Sequence, residues 1–331
     1  MRDKLLIVNC QLLIVLLCLL VSCKSKRPDV SNIDLSVEIQ RLDRDIFDMS
    51  ADSLHNKYGV FFDYYTEGVL AIGNYKDSSF REYLEMFKTD SIVQKAHADV
   101  NKQYPDLKRL TEKLSTAFKY YRYYFPDKHI PKVYTYISGY NQSFILTDSV
   151  LAIGLDKYLG ADYEFYNRLQ FHKYLSRNMY PEKIVADYIE TLIGNEWILN
   201  SRKNNDLISK MLFEGKILYA TKMILPDEPD SRIFGFTDDQ VRWCKNNEKT
   251  MWITLIENKL LFSTDHFKIR KLTDFAPHTS EFTAESPGKA CNWIGYRIIA
   301  KYMKDNPQIS LQELMDNDDY RKIFDQAKYK P

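Results

Sequence analysis

The sequence has little of what small cross-linked or metal-clipped folds are built from. Five cysteines and six histidines are spread over 331 residues. The histidines are His55, His97, His129, His172, His266 and His278. None has another within five positions and no H-E-x-x-H occurs, so the arrangement that sets two imidazoles on one helical face for zinc is missing. No P-loop, G-x-G-x-x-G or G-x-S-x-G is present either, which removes the common phosphate, dinucleotide and serine-hydrolase signatures. Eleven glycines and eleven prolines make the chain sparing in loops, and no Gly/Ser/Pro-rich linker, low-complexity block or internal repeat breaks it. An excess of charge is lacking as well: 46 Lys+Arg stand against 45 Asp+Glu. Nothing in that balance points to nucleic acid or a broad anionic surface.

One long apolar run exists, at the start. Arg2 and Lys4 precede Leu5 to Val21, and Ser22-Cys23 follows, the layout of a secretory signal. Asn9 and Gln11 interrupt the run, which is shorter than the roughly 20 residues of a comfortable spanning helix. Leu20-Val21-Ser22-Cys23 resembles the lipobox of bacterial lipoproteins. The resemblance implies cleavage before Cys23 and acyl chains, palmitate among them, on that residue; several chains anchor a soluble domain stably where one holds it marginally. Residues 1–22 are thus expected to be a signal peptide and residues 23–32 a lipidated tether. Removal of Arg2, Asp3 and Lys4 leaves 44 basic and 44 acidic residues. Cys10 and Cys18 leave with the signal, so Cys244 and Cys291 allow at most one disulfide, which the spacing does not decide.

Residues 33–331 read as one globular domain of the α+β class, predominantly α-helical with a small β-sheet. Leu107, Leu110, Leu114, Phe118, Tyr121 and Phe125 fall at three- and four-residue steps, an amphipathic helix after Pro105. Residues 182–200 and 205–224 read as two more. Thr237-Asp-Asp-Gln240 is a capping box for a helix running to about Asn258, Ser286-Pro287 opens another, and Ser310-Leu-Gln-Glu313 caps the last. Lys132 to Ile137 alternates, with Val133, Thr135 and Ile137 on one face and Tyr134 and Tyr136 on the other. Phe144–Leu146 and Val150–Ile153 flank Asp148-Ser149 as in a hairpin.

Carboxylates are plentiful but scattered. Glu190 and Glu196 lie six apart and do not share a helical face; Asp316, Asp318 and Asp319 lack the glycine and terminal glutamate of a calcium loop and read as a solvated helix boundary. Glu248 reads as solvent-facing. The aromatic load is heavy, with 24 Tyr, 18 Phe and 4 Trp. Tyr120 to Phe125 places rings on every side of a helix, as tyrosine does in a core or at a binding surface.

Several segments together resemble the gliding-motility lipoprotein GldB family of Bacteroidota. They are Arg41-Leu-Asp-Arg-Asp-Ile-Phe, Tyr136-Ile-Ser-Gly-Tyr-Asn-Gln-Ser, Leu151-Ala-Ile-Gly-Leu-Asp-Lys-Tyr-Leu-Gly and Met211-Leu-Phe-Glu-Gly-Lys-Ile-Leu-Tyr. Trp243-Cys-Lys-Asn-Asn-Glu-Lys-Thr-Met-Trp, Ser286-Pro-Gly-Lys, Trp293-Ile-Gly-Tyr-Arg-Ile-Ile and Ala327-Lys-Tyr-Lys-Pro complete the set, in order. The family is distantly similar to zinc-dependent proteases of zincin-like fold. That likeness implies a degenerate zincin-like core, with residues 182–200 in the place of the metal helix and Glu214-Gly215 matching the third-ligand segment. No histidine stands in that helix, so Glu214 is expected to be a relict, with no catalytic residue, metal or cofactor beyond the lipid on Cys23.

The resemblance implies a non-catalytic, membrane-anchored envelope lipoprotein supporting gliding motility or related surface machinery through contacts with other envelope proteins. The basic Lys24-Ser-Lys-Arg27 after the lipid site, in place of an acidic export run, points to a domain facing the periplasm, anchored in the inner or outer membrane. Two alternatives stand beside it. One is a metallohydrolase with ligands from His172, Glu190, Glu196 and Glu214; the other is a peptide- or glycan-binding lipoprotein whose aromatic surface does the recognition.

Overall fold

A computed structural model describes residues 27–202 and 205–331. The expected signal peptide and the lipid site at Cys23 lie outside these residues. The chain divides into two units, Met1–Asp34 and Leu35–Pro331. In the first, residues 27–34 form no helix or strand, and the Asp29 carboxylate accepts the Ser31 backbone N–H at 2.9 Å.

The second unit is built on a four-stranded mixed sheet of order β1-β2-β4-β3. β1 (Ile39–Arg41) and β4 (Val150–Gly154) both run parallel to β2 (Lys132–Tyr136), and β3 (Phe144–Leu146) closes the edge antiparallel to β4. The hairpin around Asp148-Ser149 is present, with Ile145 opposite Ala152. The alternation expected in β2 is also present, and it serves two cores. Val133, Leu151 and Ile153 face one apolar cluster; Tyr134, Tyr136, Val150 and Ala152 face another. A sheet covered on both faces needs apolar bodies on both, and tyrosine supplies the second set.

Four helices cover the tyrosine face: α1 (Leu42–Asp48), α2 (Ala51–Tyr58), α3 (Val60–Gly68) and α4 (Phe80–Thr89). The Arg41 segment ties them to the sheet. The Arg41 guanidinium donates to both oxygens of Asp43 at 2.9 and 2.6 Å, and the fully buried Asp43 accepts the Thr135 hydroxyl of β2. The other face carries α5 (Ser91–Gln103), α6 (Lys108–Tyr124) and the C-terminal helices. In α6, Leu110, Leu114, Phe118 and Tyr121 are buried while Tyr123 is half exposed, so the heptad-like spacing named the correct face.

Two short helices, α7 (Glu164–Arg168) and α8 (Lys173–Ser176), lead to α9 (Ile184–Glu196), which 3₁₀ turns flank at Pro181–Lys183 and Ile198–Arg202. α10 (Leu207–Ile224) is apolar almost all round and lies inside the unit, as such a helix must. α11 (Asp230–Phe234), α12 (Asp238–Glu257) and α13 (His266–Thr273) follow, and the Thr237–Gln240 capping box opens α12 as expected. α10 crosses α14 (Ala290–Asp305) at two glycines. A Cβ on Gly295 would sit 1.8 Å from the Met211 carbonyl oxygen, and one on Gly215 would sit 2.3 Å from the Gly295 carbonyl carbon. Gly215 is therefore needed for a backbone approach, whatever Glu214 beside it does.

Three expectations differ from the structure. Ser286-Pro287 does not open a helix: α14 begins at Ala290, after Lys289 in a left-handed conformation (φ 53°). Gly288 lies against the Ala276 backbone, and Thr279 caps the helix from outside. Its Oγ1 accepts the Ala290 N–H at 3.0 Å and donates to the Pro287 carbonyl at 2.7 Å. The Ser310 capping box exists but belongs to α15 (Leu311–Asp316); a further helix, α16 (Tyr320–Ala327), is capped by Asp319. Glu248 does not face solvent. Its Oε1 accepts Arg297 Nε at 2.8 Å and the Tyr329 hydroxyl at 2.5 Å, fastening α14 and the closing residues to α12.

Candidate functional site

The packing of α9 leaves one stripe uncovered. Ile184, Val185, Ala186, Tyr188, Ile189, Leu192 and Ile193 are buried, so Asp187, Glu190, Thr191 and Gly194 form a row at three- and four-residue steps. That row is the floor of a cleft made of two adjoining cavities, of about 240 and 440 Å³, which share Ser143, Tyr158, Asp187, Glu190 and Phe275. Glu214 lines the larger cavity, and Lys157, Lys183 and Lys289 line the smaller.

The floor carboxylates already have cations. Lys183 Nζ stands 2.5 Å from Asp187 Oδ1, and the Tyr158 hydroxyl donates to Asp187 Oδ2 at 2.9 Å. Burial works to lower the Lys183 pKa, but Asp187 and then Glu190 outweigh it and hold the ammonium above its ordinary value. Lys289 Nζ lies 3.8 Å from Glu190 Oε1 and 4.0 Å above the Phe275 ring. Burial raises the Glu190 carboxyl pKa against the pull of Lys289 and Lys183. Lys210 Nζ holds Glu214 Oε1 at 2.6 Å, one helical turn away on α10.

Lys157 is different. It belongs to the 3₁₀ turn Leu155–Lys157 that follows β4. Its ammonium donates to the Tyr140 carbonyl at 3.1 Å and sits 4.0 Å over the Phe171 ring. The neighbouring Asp156 does not pair with it, because that buried carboxylate is turned to the backbone N–H groups of Ser138 (2.9 Å) and Tyr140 (2.6 Å). Burial lowers the Lys157 pKa to about 8, with Asp156 opposing, and raises that of Asp156 to about 6 against its backbone hydrogen bonds.

The residues named for an atypical metal site are only partly brought together. Glu190 and Glu214 reach the same cavity. Glu196 is instead held by Lys128 at 2.5 Å, and His172 is an exposed residue ahead of α8, stacked on Tyr174. Among the described residues no three His, Cys, Asp or Glu side chains are grouped to hold a metal ion. His97 stacks on Phe47, and burial lowers its pKa; His129, His266 and His278 are exposed. Asp316 accepts the Trp197 indole N–H at 2.8 Å, a structural use of the acidic trio. Cys244 and Cys291 are both buried and both free.

The model of the family described as gliding motility protein GldB matches residues 23–331. The chain belongs to that family. No curated protein and no solved structure matches it. As a GldB lipoprotein it is gliding-motility-related and associated with the envelope, and no helix among the described residues is long and apolar enough to cross a membrane. Four of the segments that carry the GldB resemblance meet at the cleft. Ser143 ends one, Lys157 and Tyr158 belong to the second, Phe213 and Glu214 to the third and Lys289 to the fourth. The lysines escaped sequence reasoning because each comes from a different segment, and the four-residue charge pairs Lys183–Asp187 and Lys210–Glu214 are too common a pattern to single out a site. A signal was available in Ser286-Pro-Gly-Lys289, a short Gly/Pro turn ending in a cation, but it reads equally as a helix start.

Proposed function

We propose that this GldB protein is a non-catalytic, lipid-anchored envelope protein that acts on the gliding machinery by contact, through a cleft of degenerate zincin-like origin. One observation carries the reading: the row of α9 that lines the cleft is Asp187, Glu190, Thr191 and Gly194, with no imidazole among them and lysine ammoniums beside the carboxylates. Lysine ammoniums stand 2.5 Å from Asp187 and 3.8 Å from Glu190, so these carboxylates have their countercharge from the chain itself, without a metal. The chemistry available there is ionic and aromatic recognition, with no activated water and no cofactor beyond the lipid on Cys23. Residues 1–22 act as the signal, Cys23 carries the acyl chains, and the folded part works on the periplasmic side.

The test is chemical cross-linking in intact cells, followed by recovery of the lipidated protein from its membrane and identification of what is attached. The reading expects defined envelope or motility proteins in stoichiometric amounts, and loss of surface translocation when the gene is deleted. Recovery of the protein alone, with translocation intact in the deletion strain, would refute it.

A further inference from the structure

We propose that the smaller cavity of the cleft is a receptor for a carboxylate presented by a peptide segment of a partner protein, with Lys157 as the group that receives it. The inference rests on the contact-based reading above and names the chemistry of that contact.

Three ammoniums, Lys157, Lys183 and Lys289, enter this cavity from three separate parts of the chain, and two carboxylates, Asp187 and Glu190, face them. Lys183 is committed to Asp187 at 2.5 Å and Lys289 lies nearest Glu190 at 3.8 Å. Lys157 is left with one neutral carbonyl and an aromatic face, while its ammonium has three protons to donate. Asp156 attracts Lys157 only without contact, because its oxygen is taken by the Ser138 and Tyr140 N–H groups; an ammonium buried with no contacting anion is costly, and a ligand that brings one removes the cost. The cavity therefore has one positive charge more than its own side chains balance, beside the Phe171 and Phe275 rings and the Tyr158 side chain, which suit an apolar or aromatic neighbour of that carboxylate.

The volume argues for a peptide over a lone ion. The 240 Å³ cavity adjoins the 440 Å³ one, with which it shares five lining residues, and the second is lined by Phe144, Phe213 and Ile217 with the closed Lys210–Glu214 pair. A segment with one acidic group and apolar flanks matches both compartments, with the acidic group in the first. The acid is either a C-terminal carboxylate or an aspartate or glutamate side chain; the chemistry at Lys157 is the same.

The experiment uses the full-length protein in detergent and three fluorescein-labelled pentapeptides of one aromatic and aliphatic composition, read by fluorescence anisotropy. One has a free C-terminus, one an amidated C-terminus with a central glutamate, and one is amidated with glutamine in that place. The proposal expects the first or the second to bind and the third to bind at least tenfold more weakly; which of the first two binds identifies the source of the carboxylate. Lys157→Gln should weaken the binding peptide roughly tenfold to a hundredfold, the range of one charge-assisted hydrogen bond. Lys157→Arg should retain most of it, and a thermal midpoint in both variants no lower than that of wild type shows that the fold is intact. Equal binding of all three peptides, no binding of any at millimolar concentration, or indifference to Lys157→Gln would overturn the proposal. Cross-linking with Lys157→Gln separates the two claims: partners recovered equally by wild type and variant would sink the carboxylate site alone, whereas no partner with either would sink the contact reading.

Discussion

Tyr188 and Tyr65 are both fully buried, and only one uses its hydroxyl. Tyr65 donates to the Ile137 carbonyl at 2.6 Å, while the hydroxyls of Tyr188 and Tyr121 find no partner among the described residues. The heavy tyrosine content is thus mainly a core, in which some rings serve as oversized phenylalanines. Tyr188→Phe should leave stability unchanged or raise it by up to about 1 kcal/mol, while Tyr65→Phe should lower it by about 1 kcal/mol. Urea unfolding of the two variants reads the difference, and equal losses would show that the Tyr188 hydroxyl is satisfied after all. The exposed tyrosines Tyr64, Tyr83 and Tyr123 stand on separate helices, whereas Phe275, also half exposed, joins Tyr158, Phe171 and Phe213 at the cleft.

Among the elements, those with local signals were legible and those with long-range causes were not. The α6 periodicity, the α12 capping box and the β3–β4 hairpin are written in neighbouring residues, and each appears within a few residues of its expected place. β1 is three residues long and exists because β2 offers it an edge; the α14 start is set by Thr279, eleven residues upstream. The helices α1 to α5 drew no expectation of their own, although Ser50 and Asp90 cap two of them in the ordinary way. The contact of α10 with α14 is the strongest test at this scale. Alanine is favoured over glycine within a helix by about 1 kcal/mol. Gly295→Ala should nevertheless destabilise by about 3 kcal/mol or more, because its Cβ would meet a backbone oxygen that cannot move alone. A thermal midpoint at or above that of wild type would contradict the crossing.

For the whole molecule, the balance of charge hides an uneven response to pH. Burial raises the pKa of Tyr65, Tyr136, Tyr158 and Tyr188 above the ordinary 10.0. The folded chain then keeps protons that the unfolded chain releases, so the stability these residues confer is whole below pH 10 and is lost as pH rises past it. Lys157 and Lys216, both lowered to about 8 chiefly by burial, act the other way. Between pH 8 and their ordinary 10.5 the unfolded chain holds the extra protons, and stability gains. The urea midpoint should hold or rise slightly from pH 8 to 10 and then fall steeply; a steady decline beginning at pH 8 would contradict these assignments.

The cleft is also a property of the whole molecule, assembled from residues 143 to 289, which is why the sequence pointed to Glu190 and Glu214 there, but not to the lysines around them. The central claim is that lysine ammoniums, not a metal, balance its carboxylates. Metal content of the full-length protein, purified from its native membrane without chelators and measured by plasma mass spectrometry, tests this most directly. The account predicts far less than one zinc or other transition metal per chain, unchanged by Glu214→Gln. About one metal ion per chain, retained through dialysis and lost with Glu214→Gln, would contradict it.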